Sequence, residues 1–410
     1  MNSDIKKNRM TEIALTILKP NGTPLANQEV TIEQTNHKFL FGTAAFDLVP
    51  LTSGDYTGKE RERAEQRAEK ITALFNAATL PFYWARFEPQ RGKPITEKVK
   101  NAVRYCLDHN MVTKGHPLCW HTLTADWLLE MSNTEILQAQ TDRIKRDVSD
   151  FRGLIDMWDV INEAVIMPVF DKYENGISRV CKEMGRIKTI KTMFETARET
   201  NPIATLLIND FDVSSAYDIL VEGCLEAGIK FDVIGIQSHM HQGWWGVEKT
   251  LKVLENFERF NLPIHFTEST LVSGHLMPSE IVDLNDYQVT DWPTTPEGEE
   301  RQAEQTIQHY KTLFGHPLVE GITWWDSSDG GWLNAPAGLL RKDGSVKPAY
   351  EELMKLIKGE WWFHPAQLLT DNHGQIRFNG CLGEYKLTYE KQQKRFVPGK
   401  DQVSIITLDI

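Results

Sequence analysis

The sequence has few cysteines and no long apolar segment. Its 410 residues include five cysteines, and no two of them form a Cys-x-x-Cys pair. A zinc knuckle or redox motif is therefore unsupported, and most of the cysteines are predicted to be small buried residues. The stretch MNSDIKKNRMTEIALTI has no apolar region of signal-peptide length, and no apolar run could span a bilayer. The sequence as written predicts a cytoplasmic protein without a membrane partner, or a secreted protein if a signal has been removed.

Excess positive charge is also absent. The chain has 45 Lys and Arg against 57 Asp and Glu, a formal net charge of −12, which argues against nucleic acid or an anionic membrane as the main partner. Apolar residues make up 41% and charged residues 25% of the chain, as in soluble globular proteins. A neutral polysaccharide is a better candidate partner. Twelve tryptophans are many for this length, and some of them are predicted to stack on sugar rings.

Three familiar catalytic patterns are missing or incomplete. No Gly-x-Ser-x-Gly segment is present, which argues against a serine esterase. No glycine-rich phosphate loop follows the first predicted barrel strand, which argues against a doubly wound dinucleotide-binding sheet. His116, His121, His239 and His241 leave a metallohydrolase open as a minor alternative, although no nearby cysteine completes a tetrahedral set. We therefore predict no metal and no cofactor.

The hydrophobic pattern predicts an α/β protein built around a (β/α)₈ TIM barrel. Between residues 37 and 358, short apolar strands alternate with amphipathic helices. The strands begin near residues 39, 74, 112, 157, 204, 233, 264 and 321, and eight such units are what this barrel requires. Segments 1–36 and 359–410 contain short alternating strands that could not bury both faces alone. We predict that they pair into one small antiparallel β-sandwich, either a brace or a second sugar-binding unit.

Two of the predicted barrel strands end on a glutamate. Glu163 follows Val160 and Ile161, and Glu268, 105 residues later, ends the run IHFTE. A core strand has no structural use for a carboxylate at its end, because burying a charge without a partner is costly. Glu163 and Glu268 are predicted to face each other across the barrel mouth, as in glycosidic bond hydrolysis, where one carboxyl is protonated and the other ionised.

Other polar and aromatic residues are also predicted at the strand ends, and in a barrel all of them converge on one face. They are His116, His121, Asn209, Asp210, Gln237, His239, Trp325 and Trp332.

The strand-end segments resemble glycoside hydrolase family 10, the family of endo-β-1,4-xylanases. The resemblance covers roughly residues 37–358. WDVINE at 158–163 resembles the acid/base motif, and HFTE at 265–268 resembles the nucleophile motif. The resemblance to this family implies a retaining hydrolase of β-1,4 linkages in xylan or xylo-oligosaccharides. Glu268 would be the nucleophile of a double displacement and Glu163 the acid/base.

Further segments resemble the sugar-binding parts of the same family. They are KGHPLCWH at 114–121, QSH at 237–239, WWD at 324–326 and GW at 331–332. The resemblance implies that His239 bonds the nucleophile, that Asn162 bonds the sugar 2-hydroxyl, and that Trp325 and Trp332 enclose the sugar on the non-reducing side of the cut. The substrate-binding residues implied are His116, Trp120, Asn162, Gln237, His239, Trp325, Trp332, Tyr83 and Trp84.

One segment departs from the family pattern. LPFYWARFEP at 80–89 stands where the family carries Glu-Asn-Glu-Met-Lys-Trp before its Glu-Pro. Only Trp84 and Glu88-Pro89 align, with Tyr83 at the usual Lys and Pro81 at the usual Glu. Ser269 also replaces a common Leu. The subsites on the non-reducing side should therefore be less polar than usual. The identity of the glycan substrate stays open for this reason.

Two rival functions remain at this point. The first is a retaining hydrolase of another β-linked glycan or of an arylglycoside. The altered segment at 80–89 favours this alternative. The second is a non-catalytic glycan-binding protein on a barrel scaffold, against which the intact pair of glutamates argues. The sequence does not decide the oligomeric state or endo against exo cutting.

Overall fold

The computed structural model describes residues 3–399 and 403–407 of the chain. In chain order its strands are β1 (Met10–Leu18), β2 (Glu29–His37), β3 (Leu40–Ala44), β4 (Ala77–Pro81), β5 (Val112–His116), β6 (Met157–Asn162), β7 (Thr205–Asp210), β8 (Val233–Met240), β9 (Ile264–Leu271), β10 (Val319–Trp324), β11 (Ala366–Leu369), β12 (Gln375–Cys381), β13 (Gly383–Tyr389), β14 (Gln392–Phe396) and β15 (Val403–Thr407). Its α-helices are α1 (Ser3–Arg9), α2 (Leu48–Thr52), α3 (Gly58–Leu74), α4 (Trp84–Phe87), α5 (Thr96–Asp108), α6 (Asn133–Asp150), α7 (Gly176–Met184), α8 (Arg186–Thr200), α9 (Ser215–Glu226), α10 (Gly246–Glu258), α11 (Pro296–Gly315) and α12 (Pro348–Lys355).

Strands β3 to β10 close into a parallel barrel, and the closing pair is β10 with β3. Helices cover the outside and side chains fill the inside, so both faces of the strands are buried. Strand β9, for example, is buried at each of its eight positions. The predicted (β/α)₈ barrel is confirmed. Within the described residues, none of the helices has both the length and the apolar character needed to cross a bilayer.

The predicted starts of the barrel strands agree with the structure to within two residues, except one. A strand was predicted to begin near residue 74, but α3 continues to Leu74 and β4 begins at Ala77. Asn76 ends the intervening turn, where its buried side chain bonds the backbone of Phe39 and Phe41. Residues 164–186, between β6 and α8, contain α7, which Asn175 caps by accepting from the Ser178 N–H at 2.7 Å. A helix of nine residues is too short to be recognised reliably from its pattern.

The terminal segments form two sheets that share one hydrophobic core, as predicted for a β-sandwich. One sheet has the order β12-β1-β15 and the other β11-β2-β13-β14. Ile13, Leu15, Ile32 and Tyr385 lie in the core between them. All pairings are antiparallel except β1 with β15, which is parallel. The sequence could not show this exception, because the two strands are at opposite ends of the chain. The domain boundaries at 36/37 and 358/359 stay a prediction.

The N-terminal helix α1 fastens the sandwich to the barrel at the face where the barrel strands begin. The Arg9 guanidinium donates to the carbonyl of Phe314 at 2.6 Å and also to those of His316 and Val319. It lies 4.9 Å from the ring centre of Phe39, which precedes β3. This attachment leaves the opposite face, where the strands end, open for the functional site.

We expect Arg9→Ala to lower the free energy of unfolding by about 3 kcal/mol. Its loss would leave three partly buried carbonyl groups without their charged donor, and hydrogen bonds to charged groups are stronger than neutral ones. Urea unfolding measures the change, with Lys6→Ala on the exposed side of α1 as the control. An Arg9→Ala protein as stable as the control would show that this attachment does not contribute to stability.

Candidate active site

Glu163 and Glu268 lie at the carboxyl ends of the barrel strands. Glu163 directly follows β6, and Glu268 is the fifth residue of β9. The strand order β6-β7-β8-β9 places two strands between them. Because all strands of a parallel barrel end on the same face, both side chains reach the mouth of the barrel.

The carboxylate of Glu268 is held at both of its oxygens. The side-chain amide of Asn209 on β7 donates to Oε1 at 3.0 Å, and His239 Nε2 on β8 lies 3.0 Å from Oε2. The other ring nitrogen of His239 lies 2.9 Å from the Thr270 hydroxyl. A carboxylate only accepts, so Nε2 carries the proton in this arrangement. Glu268 is 4% exposed.

Glu163 is in a different environment. Its φ is +56°, a conformation that non-glycine residues rarely adopt, and its N–H donates to the carbonyl of Asn209 at 2.8 Å. The Trp120 indole donates to Oε2 at 2.8 Å. Burial raises the pKa of Glu163 to about 8 despite this bond, and the nearby Asp210 and Glu268 add to the rise. Glu163 is therefore largely protonated at neutral pH.

A chain of side-chain amides connects the two carboxyl groups. The Asn162 amide donates to Glu163 Oε1 at 3.2 Å. Asn162 Oδ1 accepts from Asn209 at 2.8 Å and from Gln237 at 3.0 Å, and Asn209 in turn donates to Glu268. These buried amides fix the position of one carboxyl relative to the other. The predicted bond from Asn162 to a sugar hydroxyl stays a prediction.

His116 is oriented by a buried ion pair. Its Nδ1 lies 2.7 Å from Asp159 Oδ2, and the Lys114 ammonium lies 2.7 Å from the same oxygen. Burial opposes ionisation of Asp159, but Lys114 and His116 outweigh it and lower the pKa of that carboxyl. With Nδ1 occupied, His116 Nε2 points into the site and lies 3.9 Å from Glu268 Oε1.

The predicted tryptophans Trp325 and Trp332 line the site. The ring of Trp325 lies 5.3 Å from that of His116 and 5.9 Å from that of His239. The ring of Trp332 lies 4.6 Å from that of His239. Both rings therefore lie beside His239, the histidine that bonds Glu268. Their contact with a sugar ring stays a prediction.

In segment 80–89, which differs from the family pattern, the two neighbours Tyr83 and Trp84 at the start of α4 have different surroundings. Tyr83 lies in the site, with its ring 5.6 Å from that of His116. Trp84, also predicted to bind sugar, is 3% exposed and lies elsewhere. Its indole donates to Glu88 at 3.2 Å, and the Arg143 guanidinium covers its ring at 4.8 Å. Successive residues of a helix point about 100° apart, so neighbours in sequence face different surroundings. This burial gives no support to a sugar contact by Trp84.

Two functional residues were missing from the predicted site. Asn209, which links both glutamates, had been noted only as one of the strand-end polar residues. Asp159, which orients His116, lies inside the apolar run that ends at Glu163 and is fully buried. A charged residue in the middle of a buried strand was the signal, because such a charge requires a partner.

The other two predicted strand-end histidines, His121 and His241, are buried at the edge of the site. His121 Nε2 lies 4.0 Å from Glu163 Oε2, and the ring of His241 lies 5.1 Å from that of Trp332. Burial lowers the pKa of His121 to about 4 and that of His241 to about 3. All five cysteines are free and buried, which confirms that prediction. Within residues 3–399 and 403–407, no group of three or more His, Cys, Asp or Glu side chains is arranged to hold a metal ion.

Comparison with known proteins decides the family. The profile of Glycosyl hydrolase family 10 matches residues 41–356, which is most of the chain and nearly all of the barrel. The chain belongs to glycosyl hydrolase family 10. The resemblance seen in the sequence is thus confirmed, and the paired glutamates fall inside the matched region of this family 10 chain.

Named relatives are similar to this family 10 chain in sequence or in fold. Endo-1,4-beta-xylanase B of Thermotoga neapolitana is 31% identical over 72% of this chain and 84% of that protein. Endo-1,4-beta-xylanase C of Paenibacillus barcinonensis is 26% identical over 76% of this chain, which spans only 32% of that relative's length. The crystal structure of xylanase 10B from Thermotoga petrophila in complex with xylobiose matches with a TM-score of 0.63 and 23% identity. The match covers 79% of this chain and 95% of that one, and it shows a shared fold.

Proposed function

We propose that this protein is a retaining glycoside hydrolase that cleaves β-1,4 linkages in xylan or xylo-oligosaccharides. The observation that carries the proposal is the contrast between the two carboxyl groups. Glu268 is held at both oxygens by Asn209 and His239, whereas burial raises the pKa of Glu163 to about 8. A retaining hydrolase needs one carboxylate to attack and one carboxylic acid to donate a proton.

In the first step, a Glu268 oxygen forms a bond to the anomeric carbon while the glycosidic C–O bond breaks. The proton of Glu163 passes to the leaving oxygen, and the product is a sugar esterified to Glu268. In the second step, Glu163, now ionised, takes a proton from a water molecule whose oxygen attacks the anomeric carbon. The bond to Glu268 breaks, so both carboxyl groups return to their starting states and the anomeric configuration is retained.

The surrounding side chains prepare these steps. His239 and Asn209 keep Glu268 in one orientation, which spares the reorganisation that a free side chain would need. The Trp120 indole bonds the oxygen Oε2 of Glu163. His116 donates its Nδ1 proton to Asp159, so the neutral ring presents Nε2 to the site as an acceptor for a sugar hydroxyl. Together these contacts support a β-linked saccharide as the partner.

Tyr83 supports a second candidate substrate class. Its buried aromatic ring occupies the site where family members carry a lysine, so one charged donor for sugar hydroxyls is replaced by an apolar surface. A different β-linked glycan or an arylglycoside would tolerate that replacement. The reaction chemistry is the same for both candidates, because Tyr83 takes no part in the proton transfers.

A comparison of xylo-oligosaccharides with cello-oligosaccharides of equal length tests the substrate. We expect kcat/KM for xylotriose to exceed that for cellotriose by about tenfold or more, because an additional hydroxymethyl group must fit beside Tyr83 and Trp325. Product sizes by chromatography report which bond is cut. Faster cleavage of cellotriose would favour the second substrate class, and no cleavage of any β-glycoside would contradict both.

A further inference from the structure

A third carboxyl group, that of Asp326, lies in the site and takes no part in the proposed mechanism. Asp326 is the second residue after β10. Its Oδ1 accepts from the backbone N–H of Trp332 at 3.2 Å. Its Oδ2 is buried and has no hydrogen-bond partner among residues 3–399 and 403–407. Buried side-chain oxygens usually have a partner, so this one calls for an explanation.

The chain makes room for this carboxyl with a glycine. A Cβ atom on Gly331 would lie 2.1 Å from Asp326 Oδ1 and 2.6 Å from its carboxyl carbon. Carbon and oxygen atoms do not approach this closely without a bond, so a side chain at position 331 would displace the carboxyl. Gly331 therefore allows Asp326 to stay against the backbone of Trp332.

The surroundings of Asp326 belong to the active site. It follows Trp325 directly, and His239, Asp329 and Asp47 are its charged or titratable neighbours. Burial raises the pKa of Asp326 to about 7, the Trp332 N–H and His239 oppose the rise, and the two aspartates add to it. Near neutral pH the group can thus accept a hydrogen bond as a carboxylate or donate one as an acid.

We propose that the Asp326 carboxyl binds a hydroxyl group of the sugar on the non-reducing side of the scissile bond, through Oδ2. The placement rests on the proposed function, which puts this sugar between Trp325 and Trp332. The Oδ2 atom would then gain the partner that the protein does not provide. It would also replace part of the polarity lost where Tyr83 and Pro81 stand.

The same geometry defines which sugar is excluded. Asp329 is paired with the Lys347 ammonium and Asp47 with the Arg67 guanidinium, so the carboxyl that a sugar would meet here is that of Asp326 itself. His239 is already engaged with Glu268. A neutral pentose or hexose hydroxyl fits there, whereas a uronic acid would bring its carboxylate towards the carboxyl group of Asp326. The site therefore selects a neutral sugar unit at this position.

Binding of xylotriose to a catalytically inactive protein tests the proposal. Calorimetry would compare Glu268→Gln with the double variants Glu268→Gln/Asp326→Ala and Glu268→Gln/Asp326→Asn. We expect Asp326→Ala to weaken binding by about 10- to 100-fold, the usual effect of losing a hydrogen bond to a charged group. Asp326→Asn, which keeps the size and the bond to Trp332, should lose less. Glu268→Gln/Asp150→Ala, with the second change on the exposed end of α6, is the matched control and should bind as Glu268→Gln does.

Equal affinity in Glu268→Gln and Glu268→Gln/Asp326→Ala would overturn the proposal, even if the unmodified enzyme cleaves xylotriose. Failure of the unmodified enzyme to cleave xylotriose would instead contradict the proposed function. The binding comparison would still judge Asp326 in that case, with cellotriose as the second ligand.

Gly331→Ala offers an independent test that leaves the carboxyl in place but moves it. We expect Gly331→Ala in the Glu268→Gln protein to weaken xylotriose binding, and to add nothing once Asp326 is already alanine. Non-additivity of this kind shows that two substitutions act through one interaction. If Gly331→Ala weakened binding further in the protein that already carries Asp326→Ala, this expectation would be contradicted. Gly331→Ala would then act through Trp332.

Discussion

Replacing Glu268 by Gln should lower kcat on xylo-oligosaccharides by about four orders of magnitude or more. Glutamine keeps the size of the side chain and can keep one hydrogen bond to Asn209 or His239. It cannot form the ester on which the first step depends, because a neutral amide is a poor nucleophile. Initial rates with xylotriose, followed by chromatography of the products, measure the loss.

The control for Glu268→Gln is Glu62→Gln, which makes the same chemical change on the exposed face of α3. Its activity should equal that of the unmodified protein. Thermal unfolding of both variants shows whether the fold is kept, since Glu268 is buried and its replacement could also affect stability. A folded Glu268→Gln protein with activity near normal on every substrate would remove this residue from the mechanism.

Replacing Glu163 by Gln should have an effect that depends on the leaving group. For xylotriose, whose leaving group is a sugar hydroxyl, we expect the first step to slow by about 10²- to 10⁴-fold, because general acid catalysis contributes this much. A dinitrophenyl xyloside has an acidic leaving group that departs without a proton, so its first step should remain fast. The burst of dinitrophenol and the later steady rate separate the two steps.

The pH dependence of the unmodified protein supplies a second readout for Glu163. Its pKa is raised to about 8, so the proton needed by the leaving group is present below that pH and is lost above it. The alkaline limb of kcat/KM for xylotriose should therefore fall by about tenfold per pH unit above pH 8. The limb should disappear for the dinitrophenyl xyloside. Equal slowing on both substrates would mean that Glu163 does not act as the acid.

The arrangement of the barrel could be predicted from the sequence because each strand end carries a clear signal. The apolar runs before Glu163 and Glu268 are short and strongly patterned, and the barrel topology converts two distant residues into neighbours. Gln237 and His239, near the end of β8, could be placed at the site for the same reason, because all strands of the barrel end on one face. Here the periodicity of the chain and the position of each residue on its strand were sufficient.

Other features depend on packing that the sequence does not display. Trp84 and Tyr83 are adjacent, yet only Tyr83 faces the site, because the turn into α4 buries the tryptophan against Arg143. The parallel pairing of β1 with β15 joins the two ends of the chain. The bond between Asn209 and Glu268 is visible only when β7 and β9 are in place. Each of these needs three-dimensional neighbours that no local pattern specifies.

The stereochemistry of the first product tests the central claim, that Glu268 and Glu163 act together in a double displacement. Proton NMR of xylotriose hydrolysis at early times distinguishes the anomers before they equilibrate in water. The account predicts that the β-anomer forms first, because two inversions at the same carbon restore the original configuration. Initial release of the α-anomer would mean a single displacement by water and would contradict the account.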